Sequence, residues 1–171
     1  ISFVYNFITM AADMKSDKPT LVLLHGWGMN QGVWRSVVSQ FEHKVQLLTP
    51  DLPGFGLHQQ YPVPYQLDAI VELLAAQIPD NSYLCGWSLG GLLATAIAKR
   101  FPHKVRQLGL VAASPCFVAC AKWPGMAEQV LQQFAQALSN NLTQTIERFL
   151  AIQAMGSSSA REDIKMLRQA I

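Results

Sequence analysis

Charge is scarce in this sequence. Asp, Glu, Lys and Arg make up 14% of its 171 residues while 50% are hydrophobic, against the roughly 25% charged usual in soluble domains. That balance excludes a disordered or low-complexity chain, which lacks the apolar surface to pack a core. The net charge of +2 is small and scattered, which excludes a nucleic-acid footprint. Cysteine is nearly absent: Cys85, Cys116 and Cys120 are too few and odd in number for a disulfide scaffold, and fit a reducing, cytoplasmic setting. No apolar run approaches the roughly 18 residues of a membrane span, so no membrane partner is expected. Ile1–Ile8 is apolar, but no basic residue precedes it and no good small-residue cleavage site follows, so it does not read as a signal peptide. No phosphate-cradling glycine loop is present, so no nucleotide cofactor is implied.

What is present is alternation. The runs 20–24 (TLVLL), 45–49 (VQLLT), 82–86 (SYLCG) and 105–111 (VRQLGLV) read as strands. The first is continuously apolar, as in a strand buried on both faces of a parallel sheet. Between them lie helical stripes. Val33, Trp34, Val37, Val38 and Phe41 follow Asn30, a suitable N-cap; Leu67, Ile70, Val71, Leu74 and Ile78 form a second stripe. Leu89–Ala98 is apolar all round and should be buried. Strand–helix alternation at these lengths predicts an α/β fold with a mostly parallel sheet and right-handed crossovers. After Val111 the pattern turns purely helical, with stripes at Ala127/Val130/Leu131/Phe134/Leu138, Leu142/Ile146/Phe149/Leu150 and Ala160/Ile164/Leu167/Ile171.

The chemistry is concentrated in Gly86-Trp87-Ser88-Leu89-Gly90-Gly91, a G-x-S-x-G pattern between a predicted strand and a predicted helix. A sharp turn there lifts the serine hydroxyl above the sheet, and crowding demands glycine two residues to either side. The alternative is a glycine-rich turn with an incidental serine. The strand–turn–helix context favours the nucleophile. His25-Gly26-Trp27-Gly28 follows the first strand, where a hydrolase of this kind aims a backbone N–H at the developing oxyanion. The oxyanion donors are therefore assigned to the N–H groups of Trp27 and Leu89, the latter also at a helix N-terminus. Asp51, in Asp51-Leu52-Pro53-Gly54-Phe55-Gly56, reads mainly as turn chemistry. Cys116 and Cys120 stand four apart, but no further ligand pair accompanies them, so no metal site is expected and all three cysteines read as buried thiols.

The motifs HGWG, DLPGFG and GWSLGG, in that order, resemble the α/β-hydrolase superfamily. More narrowly, LVLLHGWGMN (21–30), SPCF (114–117), Lys122-Trp123-Pro124-Gly125, ERFLAIQ (147–153) and Met155-Gly156 resemble the pimeloyl-[acyl-carrier protein] methyl ester esterases of biotin synthesis. The resemblance runs from Pro19 to the C-terminus, and Ile1–Lys15 has no clear match. It implies an α/β-hydrolase fold with helices on both faces of the sheet: residues 1–115 as a partial core and 116–171 as a helical lid region. It implies that Ser88 attacks a methyl ester, releasing methanol and then the carboxylate, while the acyl group stays on its carrier. It also places Phe149, Leu150, Ala151, Ile152 and Gln153 with Trp27, Ser88 and Leu89 along the substrate path.

In this superfamily the triad order is Ser, then Asp or Glu, then His. The only histidine after Ser88 is His103, expected at the opposite end of the sheet, and Glu128, Glu147, Glu162 and Asp163 fall in the helical region. The resemblance implies two more strands carrying the acid and base. The sequence thus reads as a C-terminally truncated esterase that is inactive alone. Arg161, Lys165 and Arg168, with Arg148 on the preceding helix, could form a basic face for an acidic acyl carrier protein or simply a solvated helix face. A broad-specificity esterase or lipase of the same fold, and a non-catalytic binding protein on this scaffold, remain the alternatives.

Overall fold

Alternate residues of two neighbouring strands feed two different cores. In the computed structural model, which describes residues 18–41 and 43–171, Leu21, Leu23, Tyr83 and Cys85 pack into one cluster. Val22, Leu24 and Leu84 pack into the other. The period-two alternation of a strand explains this division, and burial on both sides explains why β1 (Thr20–Leu24) carries no polar residue after Thr20. Each such fully buried leucine contributes about 1.5–3 kcal/mol relative to an exposed one. The remaining strands are β2 (Gln46–Leu48), β3 (Ser82–Trp87) and β4 (Val105–Val111), and all pairings are parallel in the order β2-β1-β3-β4. The α/β parallel sheet read from the sequence is the observed one.

Helices cover both faces. Asn30 caps the first helical segment by accepting from the Gly32 N–H at 2.8 Å. A 3-10 turn, Gln31–Trp34, leads into α1 (Arg35–Phe41), and Trp34 and Phe41 close one core. α2 (Leu67–Gln77) and α3 (Leu89–Arg100) close the other through Ile70, Leu74, Leu93 and Ile97. β2 is shorter than the predicted 45–49 run, because only Gln46–Leu48 pair with β1 and Pro50, just beyond, has no N–H to donate. β3 runs one residue further than expected, since Trp87 still pairs with Val111.

The chain divides into two compact units between Pro115 and Cys116. The second is not helical from its start. Bridges join Val118 to Met126 and Cys120 to Trp123 before α4 (Glu128–Asn140), α5 (Leu142–Gln153) and α6 (Ala160–Arg168) begin. Asn141 caps α5 by accepting from the Gln144 N–H at 3.1 Å. Phe134 and Phe149 stack at 5.9 Å between α4 and α5. The predicted apolar stripes are only partly covered: Val130, Leu142 and Ile171 are exposed, and Ile171 lies beyond the end of α6. Two of the three cysteines correct the sequence reading as well. Cys85 is buried in β3, where burial pushes its thiol up to about 12, but Cys116 and Cys120 are exposed. Cys120 lies in the bridged segment and Cys116 just before it, outside any helix or named strand, and the Cys116 carbonyl accepts from the Trp123 indole N–H at 2.9 Å. The readings of Ile1–Ile8 and Ile1–Lys15 lie outside the described residues.

Candidate active site

The turn between β3 and α3 holds Ser88 in a backbone conformation that L-residues rarely adopt, φ 54° and ψ −116°. Neighbouring chain makes this turn possible only with glycine on either side. A Cβ on Gly86 would collide with the Gly90 carbonyl, and one on Gly90 with the carbonyls of Leu24 and His25. The turn is anchored below by the Ser88 N–H, which donates to the Val111 carbonyl of β4 at 3.0 Å. Above, the Gly91 N–H donates to the Ser88 carbonyl at 2.9 Å. Ser88 is half-buried at the C-terminal end of the parallel strands, the end at which open α/β sheets place their ligands.

Leu89 opens α3. Its N–H is therefore one of the four that a helix leaves without an intrahelical acceptor, at the positive end of the dipole. The second expected donor, the Trp27 N–H, belongs to the loop after β1. The Met29 N–H donates to the Gly26 carbonyl at 3.3 Å, and Gly28 at φ 73° completes a tight turn around Trp27. Trp27 and Leu89, assigned separately from the sequence, line one cavity of about 340 Å³ together with Pro53, Phe55, Tyr61 and Tyr65. The sequence reasoning did not single out Tyr61 or Tyr65. The signal available was an aromatic pair in the Pro-rich stretch after Asp51–Gly56.

His25, fully buried, ties these loops together and is not poised as a base. Its Nδ1 lies 2.9 Å from the Gly26 carbonyl, to which it donates, and its Nε2 accepts from the Leu52 N–H at 2.9 Å. Burial lowers its pKa, against the raising effects of the Gly26 bond and of Asp51. With its lone pair committed to Leu52 it has no capacity to take a proton from Ser88. Asp51 is likewise engaged in holding backbone, as the turn reading anticipated: its Oδ1 accepts from the Gln31 N–H at 2.6 Å and its Oδ2 from the Leu57 N–H at 2.8 Å.

The other histidines lie elsewhere. The His103 carbonyl accepts from Asn81, just before β3 begins at Ser82, so six strand residues, about 20 Å, separate it from Ser88. His43 precedes β2 and sits at that same end of the sheet. His58 lines a different recess, of about 860 Å³, with Gln31 and Asp51. Among the described residues no histidine lines the cavity shared by Trp27 and Leu89.

The remaining predicted site residues belong to the second unit. On α5, Phe149 is half-buried against Phe134, Leu150 is fully buried, and Ala151, Ile152 and Gln153 are exposed. Arg148, Arg161 and Lys165 are exposed. Arg168 is not a free basic group: its Nε and Nη2 donate to the two carboxylate oxygens of Glu147 at 2.9 and 2.6 Å. Among the described residues no group of three or more His, Cys, Asp or Glu side chains could hold a metal ion, and no helix is long and apolar enough to cross a membrane.

Comparison with known proteins agrees with this geometry. The chain is 49% identical over 154 residues to the pimeloyl-[acyl-carrier protein] methyl ester esterase of Pseudoalteromonas atlantica, covering 90% of this chain and 60% of that protein. It is 50% identical over 151 residues to the protein of the same name from Aeromonas hydrophila, covering 88% and 59%. The chain thus spans about 60% of the length of the curated relatives it matches. Among solved structures, an esterase from Exiguobacterium antarcticum superposes with a TM-score of 0.75 at 19% identity, over 90% of this chain and 62% of that one. A thermophilic esterase from Thermogutta terrifontis gives 0.72 at 20% identity, over 91% and 58%; these two share the fold. A family model described as the alpha/beta hydrolase fold matches residues 19–164, the stretch that holds all four strands and the serine turn, and to that family the chain belongs.

Proposed function

We propose that Ser88 is the nucleophile of a carboxylesterase that cleaves the methyl ester of a pimeloyl chain carried on acyl carrier protein. The observation that carries this reading is the strained turn at Ser88 beside a cavity lined by both candidate oxyanion residues, Trp27 and Leu89. Identity of 49–50% to esterases of that name supports the substrate class. The Ser88 Oγ attacks the ester carbonyl, and the N–H groups of Trp27 and Leu89 hold the resulting oxyanion. Collapse expels methanol, and water then releases the carboxylate from the serine. Both steps need a base. Among the described residues no histidine lines the cavity of Trp27 and Leu89, and on this reading the 171 residues alone bind the ester without turning it over. On this reading Phe149–Gln153 contribute to the acyl path, Arg148, Arg161 and Lys165 meet the acidic carrier, and the reaction is a cytoplasmic one.

Methanol release from carrier-bound pimeloyl methyl ester, by the product of the complete coding sequence, is the direct test. Turnover is expected, with a loss of at least 10³-fold in Ser88→Ala. Hydrolysis of short p-nitrophenyl esters without turnover of the carrier ester would move the assignment to a broad esterase. Binding without any turnover would move it to a non-catalytic protein.

A further inference from the structure

Resting on that reading of Ser88, we propose that Phe55, Tyr61 and Tyr65 form the pocket that selects the neutral alkyl-ester end of the acyl chain and rejects the carboxylate product. The cavity of about 340 Å³ that Trp27 and Leu89 line is completed by these three rings with Pro53 and Gly54. Its size lies in the range of pockets for small organic groups. No Lys, Arg or His is among its lining residues.

The walls are held in place. The Gly54 N–H donates to the His58 carbonyl at 2.7 Å, the Phe55 N–H to Leu52 at 2.9 Å and the His58 N–H to Phe55 at 3.0 Å. Phe55 stands edge-on to Trp27 at 6.5 Å and to His25 at 5.9 Å. Tyr61 packs over Gly54, where an added Cβ would meet its ring at 3.3 Å. The Tyr65 hydroxyl donates to the Pro53 carbonyl at 3.0 Å, which fastens the outer ring to the inner turn. Burial raises the Tyr65 pKa, so its phenol stays neutral. Tyr61 and Tyr65 remain about half exposed, at 54% and 46%, and so form the open rim through which a chain end enters.

The charge logic follows. Hydrolysis replaces the methoxy group by the oxygen of water, giving a carboxylate, methanol and a proton. The ester is neutral and loses little on leaving water. The carboxylate loses its hydration and meets no cationic side chain among the lining residues, and the two backbone N–H groups of Trp27 and Leu89, which the neutral ester carbonyl also uses, offset only part of the cost of burying a full charge. The same recess that accepts substrate therefore disfavours product, without any moving part.

The test is equilibrium binding to the 171-residue chain, which needs no turnover. The probes are dimethyl pimelate and pimelate at pH 7, titrated by saturation-transfer NMR. The diester is expected to bind at least tenfold more tightly than the dianion. Tyr61→Ala and Phe55→Ala should each weaken diester binding at least fivefold, with the urea midpoint checking that the fold is kept. Tyr61→Arg, at an exposed rim position that tolerates charge, should raise pimelate affinity and narrow or invert the preference. Equal affinity for the two probes, or diester binding unchanged in both alanine variants, would overturn the proposal. If the complete protein leaves carrier-bound ester untouched while the recess keeps its preference, the functional reading fails and the pocket assignment stands.

Discussion

The Leu52 N–H donates to His25 Nε2 at 2.9 Å, so the loop after β2 is bonded through one buried ring to the loop after β1. The second ring nitrogen completes the link by donating to the Gly26 carbonyl, one residue before Trp27. A neutral imidazole with its proton on Nδ1 satisfies both bonds at once, and an imidazolium cannot, because it has no lone pair for Leu52. Protonation of His25 at Nε2 therefore removes the Leu52 bond that ties the two loops together.

This linkage predicts an acid-side loss of stability. Burial depresses the folded-state pKa of His25 below its ordinary 6.5. The unfolded chain then binds the proton more readily, so stability is fully present above about pH 6.5 and falls as pH drops towards the folded value. Urea midpoints measured from pH 8 to pH 5 should decline across that window. His25→Gln keeps an acceptor but has no titrating ring. It is expected to cost about 1–3 kcal/mol at pH 7 through an imperfect buried hydrogen bond and to flatten the slope. An unchanged slope in this variant would place the pH dependence elsewhere.

Strain at Ser88 is a stability cost. A non-glycine residue at φ 54° is disfavoured by about 1–2 kcal/mol. Ser88→Gly is therefore expected to raise stability by about 1 kcal/mol, after the added freedom of glycine in the unfolded chain is counted. Ser88→Ala should leave stability within about 0.5 kcal/mol. Gly90→Ala should lower it by about 3 kcal/mol, because its methyl meets backbone carbonyls that cannot swing aside. Chemical denaturation of the three variants checks the order.

How far the sequence speaks depends on which physical signal each residue carries. Thr20–Leu24 and Val105–Val111 are read to the residue because both are short stretches rich in Val and Leu, and the observed strands have the same bounds. Ser88, Gly86 and Gly90 are legible because a local steric rule fixes all three at once. Asn30 is legible as a cap for the same local reason. Long-range partnerships are not: nothing near His25 announces the Leu52 N–H, and nothing in Tyr61 and Tyr65 announces that they share a wall with Leu89. The paired state of Arg168 is hidden too, since Glu147 lies 21 residues away on another helix. Helical periodicity marks which face of a helix is apolar, but not whether that face is covered, and Val130 and Leu142 remain exposed.

β4 lies at the edge of the four-stranded sheet, with Leu110 exposed. Among the described residues this seven-residue strand pairs with β3 alone, and a strand paired on one side offers N–H and C=O groups as a template for another strand. The purified 171-residue chain is expected to self-associate through this edge, and Leu110→Lys to shift it towards monomer, as read by light scattering across a concentration series. A monodisperse monomer at all concentrations would contradict the expectation.

Arg168 and its neighbours divide into two kinds of cation, and carrier docking should tell them apart. Arg168 is already paired with Glu147 through its Nε and Nη2, whereas Arg148, Arg161 and Lys165 face solvent. Long-range attraction to an acidic carrier acts mainly on encounter and is screened by salt. In the complete protein, Arg161→Glu with Lys165→Glu should raise KM for the carrier-bound ester severalfold at low salt, with a smaller effect at 0.5 M NaCl. The kcat for a small methyl ester without carrier should be unchanged. Arg168→Gln frees Glu147 and loosens α6 from α5, so its signature should be a lower melting temperature with little salt dependence in KM. If the double reversal leaves carrier-bound turnover unaltered at low salt, these helices present a solvated face and the carrier docks elsewhere.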